Sequence, residues 1–459
     1  MGYFFILRIM RFSFVLRFSV IFSVLLFFSM QLSYGQEGFT LPENVKRDKV
    51  SFELVNNLVI IPVELNGTKL SFLLDTGVST TLLFSIAQND SLQLKNAVPA
   101  SIRGLGDGGS IDALKSQNNI LRVGKAVDKS HSLYVIFDQS LNFSPRMGVP
   151  IHGILGYDFF KKFLVKTDYT SKKLTVYNPK FSKKNPCRSC EVVPLEFHSN
   201  KPFARMKVSV RNGFEDKLFL LDTGSSDALW LFDETDYISE LPKNYFEDYL
   251  GLGLSGSIYG KRSKIESLSI GSYDLKEIGT SFPDGESLRN IVFFNHREGT
   301  IGAGILKRFT VFMDYSQQKM YLRKNSNFKK PFYYNMAGVT LQHDGTVTVK
   351  EVQEYRTGSL NMAKSDANNG SITIPVVQSY SLFLAPRIVV AELRENSPAA
   401  EAGLQIGDEV VTVNNKPAYK YKLYELSALF SSKAGRTIRL TISRNGEEQK
   451  IKFVLKKLL

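Results

Sequence analysis

The stretch "FLLDTG" occurs twice, at Phe72-Leu73-Leu74-Asp75-Thr76-Gly77 and at Phe219-Leu220-Leu221-Asp222-Thr223-Gly224. Met once, it reads as a buried strand that stops in a turn, because an Asp side chain hydrogen-bonds the backbone just ahead of it and Gly follows any bend. Met twice, it asks for a register. The two aspartates lie 147 residues apart, and the same shift lays Gly104-Leu105-Gly106-Asp107-Gly108-Gly109-Ser110-Ile111 on Gly251-Leu252-Gly253-Leu254-Ser255-Gly256-Ser257-Ile258. A shift of 146 lays "GILGYDFFKKFLVKTDY" (153–169) on "GTIGAGILKRFTVFMDY" (299–315). Three blocks in one order and nearly one spacing make the chain a tandem duplication.

Each copy reads as β structure. The apolar runs "NLVIIPVEL" and "FARMKVSV" lead into Asn66-Gly67 and Asn212-Gly213. Asn-Gly between apolar runs predicts a tight hairpin, since both residues accept positive φ. The short runs "KKLTVY" and "QKMYLR" after the third block predict further strands, and the 12% aromatic content suits pleated surfaces. The glycine-dense middle block fits a loop or hairpin tip that approaches a ligand's backbone.

At 459 residues the chain is too long for one core. Composition divides it into a leader (1–35), a first unit (36–180), a polar linker (181–190), a second unit (191–328) and a segment that does not repeat (332–459). In the leader, Arg8, Arg11 and Arg17 precede an apolar run from Phe18 to Met30, and Ser33-Tyr34-Gly35 offers small residues for cleavage before Gln36. That pattern predicts export to a bacterial periplasm or the extracellular space, with membrane contact only through the leader. The net charge of +14 comes from scattered Lys and Arg, which reads as a solvated basic surface; no basic stripe or recognition motif points to nucleic acid. Cys187 and Cys190 are the two cysteines, and five scattered histidines do not complete a metal site with them. Their flanks are linker and strand, so the expectation is a local disulfide pinning the linker. No metal or cofactor is expected.

Duplicated units commonly pack about an approximate two-fold axis, and equivalent residues near that axis face each other. If Asp75 and Asp222 do so, their carboxyls share one proton and titrate as a pair. Such a pair activates water with one member and polarises a carbonyl with the other. The units resemble the retropepsin-like aspartic protease family in Asp-Thr-Gly, the glycine-rich middle block and the late segments Ile154-Leu155-Gly156 and Thr300-Ile301-Gly302. The resemblance covers roughly residues 50–325. It implies two β lobes in one chain with a polypeptide substrate between them, and catalysis by Asp75 and Asp222. It also implies support from Thr76, Gly77, Thr223, Gly224 and Ser225, with Thr76 and Thr223 bonding across the axis. Two flaps would cover the cleft, carrying Gly104, Leu105, Gly106, Gly108 and Gly109 in one and Gly251, Leu252, Gly253 and Gly256 in the other.

The copies differ chemically. Three residues after the Asp stand Val78 and Ser225, and a Ser hydroxyl there would favour the ionised form of Asp222. Thr300 stands where the family has an apolar residue. The C-terminal segment resembles a PDZ domain in Ser397-Pro398-Ala399-Ala400, Ala402-Gly403-Leu404, Gly407-Asp408 and "EVVTVNN". That resemblance implies an α+β unit binding an extended peptide beside a loop near 334–338, either docking substrate or packing on the protease. A stretch near 355–380, rich in Asn, Ser and Gly, is expected as a surface insertion. A protease-like envelope protein that binds peptides without turnover is the alternative.

Overall fold

The computed structural model describes residues 38–84, 92–104, 109–138, 141–181, 186–210, 213–232, 244–288, 297–356 and 376–459. The leader, Leu105, Gly106 and Gly108, Asn212 and most of the expected insertion therefore lie outside the described residues.

The two copies fold alike. In the first, eight strands lie in the spatial order Glu53–Val55, Leu58–Leu65, Thr68–Leu74, Gly153–Leu155, Thr81–Leu83, Ala126–Ile136, Ile111–Val123, Val98–Ile102. In the second, Glu196–His198, Lys201–Val210, Gly213–Asp222, Arg297–Gly302, Leu229–Leu231, Tyr273–Pro283, Gly256–Ile270 and Phe246–Gly253 repeat that order. The strand leading to each Asp runs parallel to the strand leading to the late glycine, Thr68–Leu74 beside Gly153–Leu155 and Gly213–Asp222 beside Arg297–Gly302. Asn66 (φ 49°) and Gly67 (φ 91°) form the two-residue turn between Leu65 and Thr68, as Asn-Gly predicts. In the second copy Val210 pairs with Gly213, which puts that glycine in the strand rather than in the turn.

Strand alternation explains why these segments are apolar throughout. Val59, Ile61, Val63, Leu70, Phe72 and Leu74 enter a core that spans both copies. Leu58, Ile60 and Leu73 point the other way, into a separate apolar cluster with Leu82, Phe84, Ile151 and Ile154. Both faces of the strand are covered, so both residue sets are apolar.

A third sheet joins the copies. Its order is Arg47–Ser51, Lys173–Tyr177, Leu164–Asp168, Phe309–Asp314, Lys319–Lys324, Glu191–Pro194, three strands from each copy. Leu164–Asp168 and Phe309–Asp314 pair antiparallel at its centre, with Lys166 opposite Phe312 and its ammonium 5.9 Å from that ring centre. Cys187 and Cys190 form a disulfide in the segment between the copies.

The C-terminal unit is a sheet of Val339–Arg356, Val376–Leu393, Glu409–Val413, Thr437–Arg444 and Glu447–Val454, with Lys416–Pro417 paired to Glu409–Val413. It closes its own core with helix Leu423–Phe430. Ser397 caps the helix Pro398–Glu401 by accepting from the Ala400 amide, and Gly403 (φ 89°) turns the chain out of it. The stretch expected as a surface insertion is in part regular: Val339–Arg356 and Val376–Leu393 are long paired strands flanking it. The whole is mainly β, two similar lobes followed by an α+β unit.

Candidate active site

Asp75 and Asp222 each follow a strand held beside a parallel neighbour, Asp75 anchored by its amide to the Leu155 carbonyl (2.9 Å) and Asp222 in register with Gly302. A side chain at Gly156 would strike the Val78 carbonyl at 2.4 Å, and one at Gly302 the Asp227 carbonyl at 2.3 Å. The late glycines are therefore what lets each Asp-Thr-Gly loop close against its own lobe.

The two loops are built into each other. Thr76 N donates to Thr223 Oγ1 (3.0 Å) and Thr223 N donates to Thr76 Oγ1 (3.1 Å). The hydroxyls donate onward across the interface, Thr76 to Leu221 O (2.7 Å) and Thr223 to Leu74 O (2.9 Å). The glycines exchange as well: a Cβ on Gly77 would lie 2.8 Å from Asp222 Cγ, and one on Gly224 2.2 Å from Asp75 Oδ2. Each aspartate thus packs on the other copy's glycine, and the carboxyls meet at the axis.

The pair is not symmetric. Asp75 is buried (7% exposed) and accepts from one backbone amide, Gly77 N at 2.6 Å. Asp222 accepts from two, Gly224 N at 2.9 Å and Ser225 N at 3.1 Å. Burial pushes the Asp75 carboxyl well above the usual carboxylate range, and the neighbouring Asp222 charge pushes it further. The extra donor to Asp222 is the Ser225 amide. Any non-proline residue there supplies the same N–H, and the expected hydroxyl contact to Asp222 is not among those of the described residues.

The two glycine-rich blocks meet each other. In the second copy Gly253 pairs with Gly256 across the turn Leu254-Ser255. Ser255 Oγ accepts from Gly104 N (3.2 Å) and donates to Gly109 O (3.4 Å), and Leu254 lies against Gly104 so closely that a Cβ there would be 2.5 Å away. Gly104, Gly109, Gly251, Leu252, Gly253 and Gly256 are thus in or beside the flap contact. Leu254 and Ser255, inside the second glycine-rich block, supply the side chains that make it.

Sequence reasoning also missed two cations. Lys201 and Arg297 both sit close enough to feel the aspartate charges. Burial pushes Arg297 down to about 10, partly offset by Asp222. Burial also lowers Lys201, and the charge of Arg297 lowers it further. Arg297 donates to Gly299 O (3.1 Å) and to Thr300 Oγ1 (2.7 Å), which accounts for a hydroxyl where the family has an apolar side chain. A third missed group is Asp227, which accepts from Trp230 Nε1 (2.7 Å), Ser281 Oγ (2.8 Å) and Arg262 Nη1 (2.9 Å) and so fixes the chain leaving the second loop.

The C-terminal unit touches both lobes. Helix Ser144–Met147 of the first lobe contacts strand Val339–Arg356 and helix Leu423–Phe430, and Gly148 (φ 70°) is pressed on Leu423. Glu392 accepts from Arg146 (2.8 Å) and from Tyr259 of the second flap hairpin (3.4 Å). Arg394 stacks on Phe246 at 4.2 Å and faces Asp248 at 3.8 Å. Asn335 folds the loop before Val339–Arg356 by accepting from Ala337 N and Gly338 N.

Residues 61–159 match the family model "Aspartyl protease", and residues 359–455 match "PDZ domain". Neither match reaches the second lobe, whose kinship to the first rests on the internal register and the shared strand order. A solved structure, an aspartic proteinase from Irpex lacteus, is similar over 62% of this chain and 99% of its own, at 12% identity and a TM-score of 0.41. No curated protein matches the chain.

Proposed function

We propose that this chain, whose first lobe is a retropepsin-like aspartyl protease unit and whose C-terminal part is a PDZ domain, is an exported aspartic endopeptidase. The observation that carries the reading is the reciprocal build of the two Asp-Thr-Gly loops. A pair of strand-end turns with no joint task has no reason to exchange threonine hydrogen bonds and seat each carboxyl on the other's glycine.

In the proposed reaction Asp75 holds the proton and Asp222, with its two amide donors, holds the charge. Asp222 takes a proton from water as the water oxygen bonds to the peptide carbon. Asp75 gives its proton to the carbonyl oxygen, forming a neutral diol. The diol returns a proton to Asp75 while Asp222 passes its own to the amine nitrogen, and the C–N bond breaks. Acid and amine leave, and the pair regains its starting protonation. The closed flaps exclude bulk water and strengthen each charge interaction inside.

Export follows from the leader, and the PDZ unit serves as a brace. Peptide would add beside Val339–Arg356, next to the loop at 334–338. That strand and the facing helix are in contact with Ser144–Met147 of the first lobe, which favours packing over an open docking groove.

The test is incubation of the full chain with a mixed peptide library from acid to neutral pH, beside Asp75→Asn and Asp222→Asn. Cleavage that falls at least about a thousandfold in both variants supports the reading. Equal cleavage by all three proteins ends it, and binding without cleavage by the unaltered chain favours a silent peptide-binding protein.

A further inference from the structure

We infer that the second-lobe face of the cleft is a subsite for an acidic side chain of the substrate, held by Lys201 and Arg297, opposite an apolar subsite on the first-lobe face. This rests on the peptidase reading above and adds a substrate class to it.

The argument is positional. Strand pairing aligns the two faces residue by residue. Ile60 pairs with Leu73, and Phe203 with Leu220. Ile154 lies between Leu73 and Leu82, and Thr300 between Leu220 and Trp230. Two positions before Ile60 is Leu58, and two before Phe203 is Lys201; each follows a turn of two residues with positive φ, Asn56-Asn57 and Ser199-Asn200. Three positions before Ile154 is Ile151, and three before Thr300 is Arg297. The first-lobe set, Leu58, Ile60, Leu73, Leu82, Ile151 and Ile154, is one buried apolar cluster reaching Val78 and the flap residues Ile102, Ile111 and Leu254. The second lobe keeps Phe203, Leu220 and Trp230 but replaces Leu58, Ile151 and Ile154 by Lys201, Arg297 and Thr300.

These replacements are one chemical unit. Thr300 accepts from Arg297, so the hydroxyl orients the guanidinium. Arg297 is 7% exposed and also lies over the Phe232 ring at 4.9 Å. Among the described residues neither Lys201 nor Arg297 has a carboxylate ion-pair partner, and no donor of Arg297 beyond Nε and Nη2 is engaged. Two cations held near each other under burial, with no carboxylate in direct ion-pair contact, are costly. The neighbouring carboxyls are the catalytic pair, which carries one charge between its members. A glutamate or aspartate of an extended peptide would bring a further negative charge to these two cations, at the place where the other lobe offers apolar side chains.

The test compares matched peptides with Glu or its isostere Gln at each position near the scissile bond, cleaved by the full chain. At one position Glu is expected to exceed Gln by about tenfold or more in kcat/KM. Lys201→Leu and Arg297→Ile, which copy the first lobe, are expected to bring that ratio to about one. Lys201→Leu, at a half-buried hairpin end, carries the test if Arg297→Ile does not fold. Equal Glu and Gln rates at every position in the unaltered chain, or a preference that survives Lys201→Leu, overturns the subsite while leaving the peptidase reading intact. Calorimetric binding of the same peptides to Asp75→Asn separates the two: no turnover by the unaltered chain together with tighter Glu binding would sink the peptidase reading and keep the subsite.

Discussion

The first and second lobes share a strand order and a loop design, yet they differ in the side chains they place at matching positions. Where the first lobe has Leu58, Ile151 and Ile154, the second has Lys201, Arg297 and Thr300 at the matching strand positions. The first lobe gives its aspartate one amide donor and full burial, the second two donors and partial exposure. What stays alike is what the axis demands, namely the threonine exchange, the glycines under the carboxyls and the strands that carry them. What diverges is what only one side of an asymmetric peptide meets. Duplication supplied a symmetric frame, and chemistry on a directional substrate has no use for symmetry beyond it.

The comparison breaks most severely at the glycines. Gly224→Ala is expected to reduce kcat more than Gly77→Ala, because its Cβ would sit 2.2 Å from an Asp75 oxygen against 2.8 Å from Asp222 Cγ. Displacing either carboxyl by about an ångström costs about a hundredfold, read in single-turnover cleavage with far-ultraviolet dichroism to show that the fold persists. Next come the threonines. Thr76→Ala and Thr223→Ala each remove the hydroxyl that accepts one cross-lobe bond and donates another, and each is expected to lower stability by about 2–3 kcal/mol in urea unfolding. Equal losses would show the frame to be symmetric; a loss confined to one would show the lobes to be unequal even there.

A smaller effect depends on pH. A carboxyl whose folded pKa is raised gives stability that is fully present below its ordinary value and lost as pH rises through the folded value. Asp75 is such a group, so Asp75→Asn is expected to melt above the unaltered chain at neutral pH, with the gap closing towards pH 4 or so. Ser225→Ala is expected to leave the acid limb of the rate profile in place, since it keeps the amide that reaches Asp222. A shifted limb would restore a role for the hydroxyl. The least effect is expected at Tyr315, buried with a hydroxyl that has no hydrogen-bond partner among the described residues. Tyr315→Phe removes that burden and is expected to raise stability by about 1 kcal/mol in the same unfolding measurement.

Much of this was legible in the sequence because duplication writes its own alignment. The paired "FLLDTG" located the aspartates, and the glycine blocks located the flap contact. The fold class followed from strands that alternate between two apolar clusters. The cations were not legible. Lys201 follows a turn and Arg297 precedes a strand, and in a basic chain two more positive residues look like solvated surface until the pairing lays them on Leu58 and Ile151. Asp227 and Arg262 were hidden for a related reason, since their contact joins positions 35 residues apart that only the folded hairpin brings together. The Ser225 amide that reaches Asp222 was not legible because a side chain is visible in a sequence and an amide's direction is not.

The central pair of strands in the shared sheet carries a consequence for half-length chains. Leu164–Asp168 pairs only with Lys173–Tyr177 on its other side, so a lone first lobe would present it as a naked edge able to recruit a twin. In the same register a twin would set Lys166 against Lys166, where the intact chain sets Lys166 over Phe312. Like charges directly opposite weaken a strand pair. A lone second lobe meets no such objection, since Phe312 would face Phe312. Expressed apart, the halves would thus prefer each other to the first lobe's own kind, and covalent linkage would be preserving a preference already written into one pair of facing side chains.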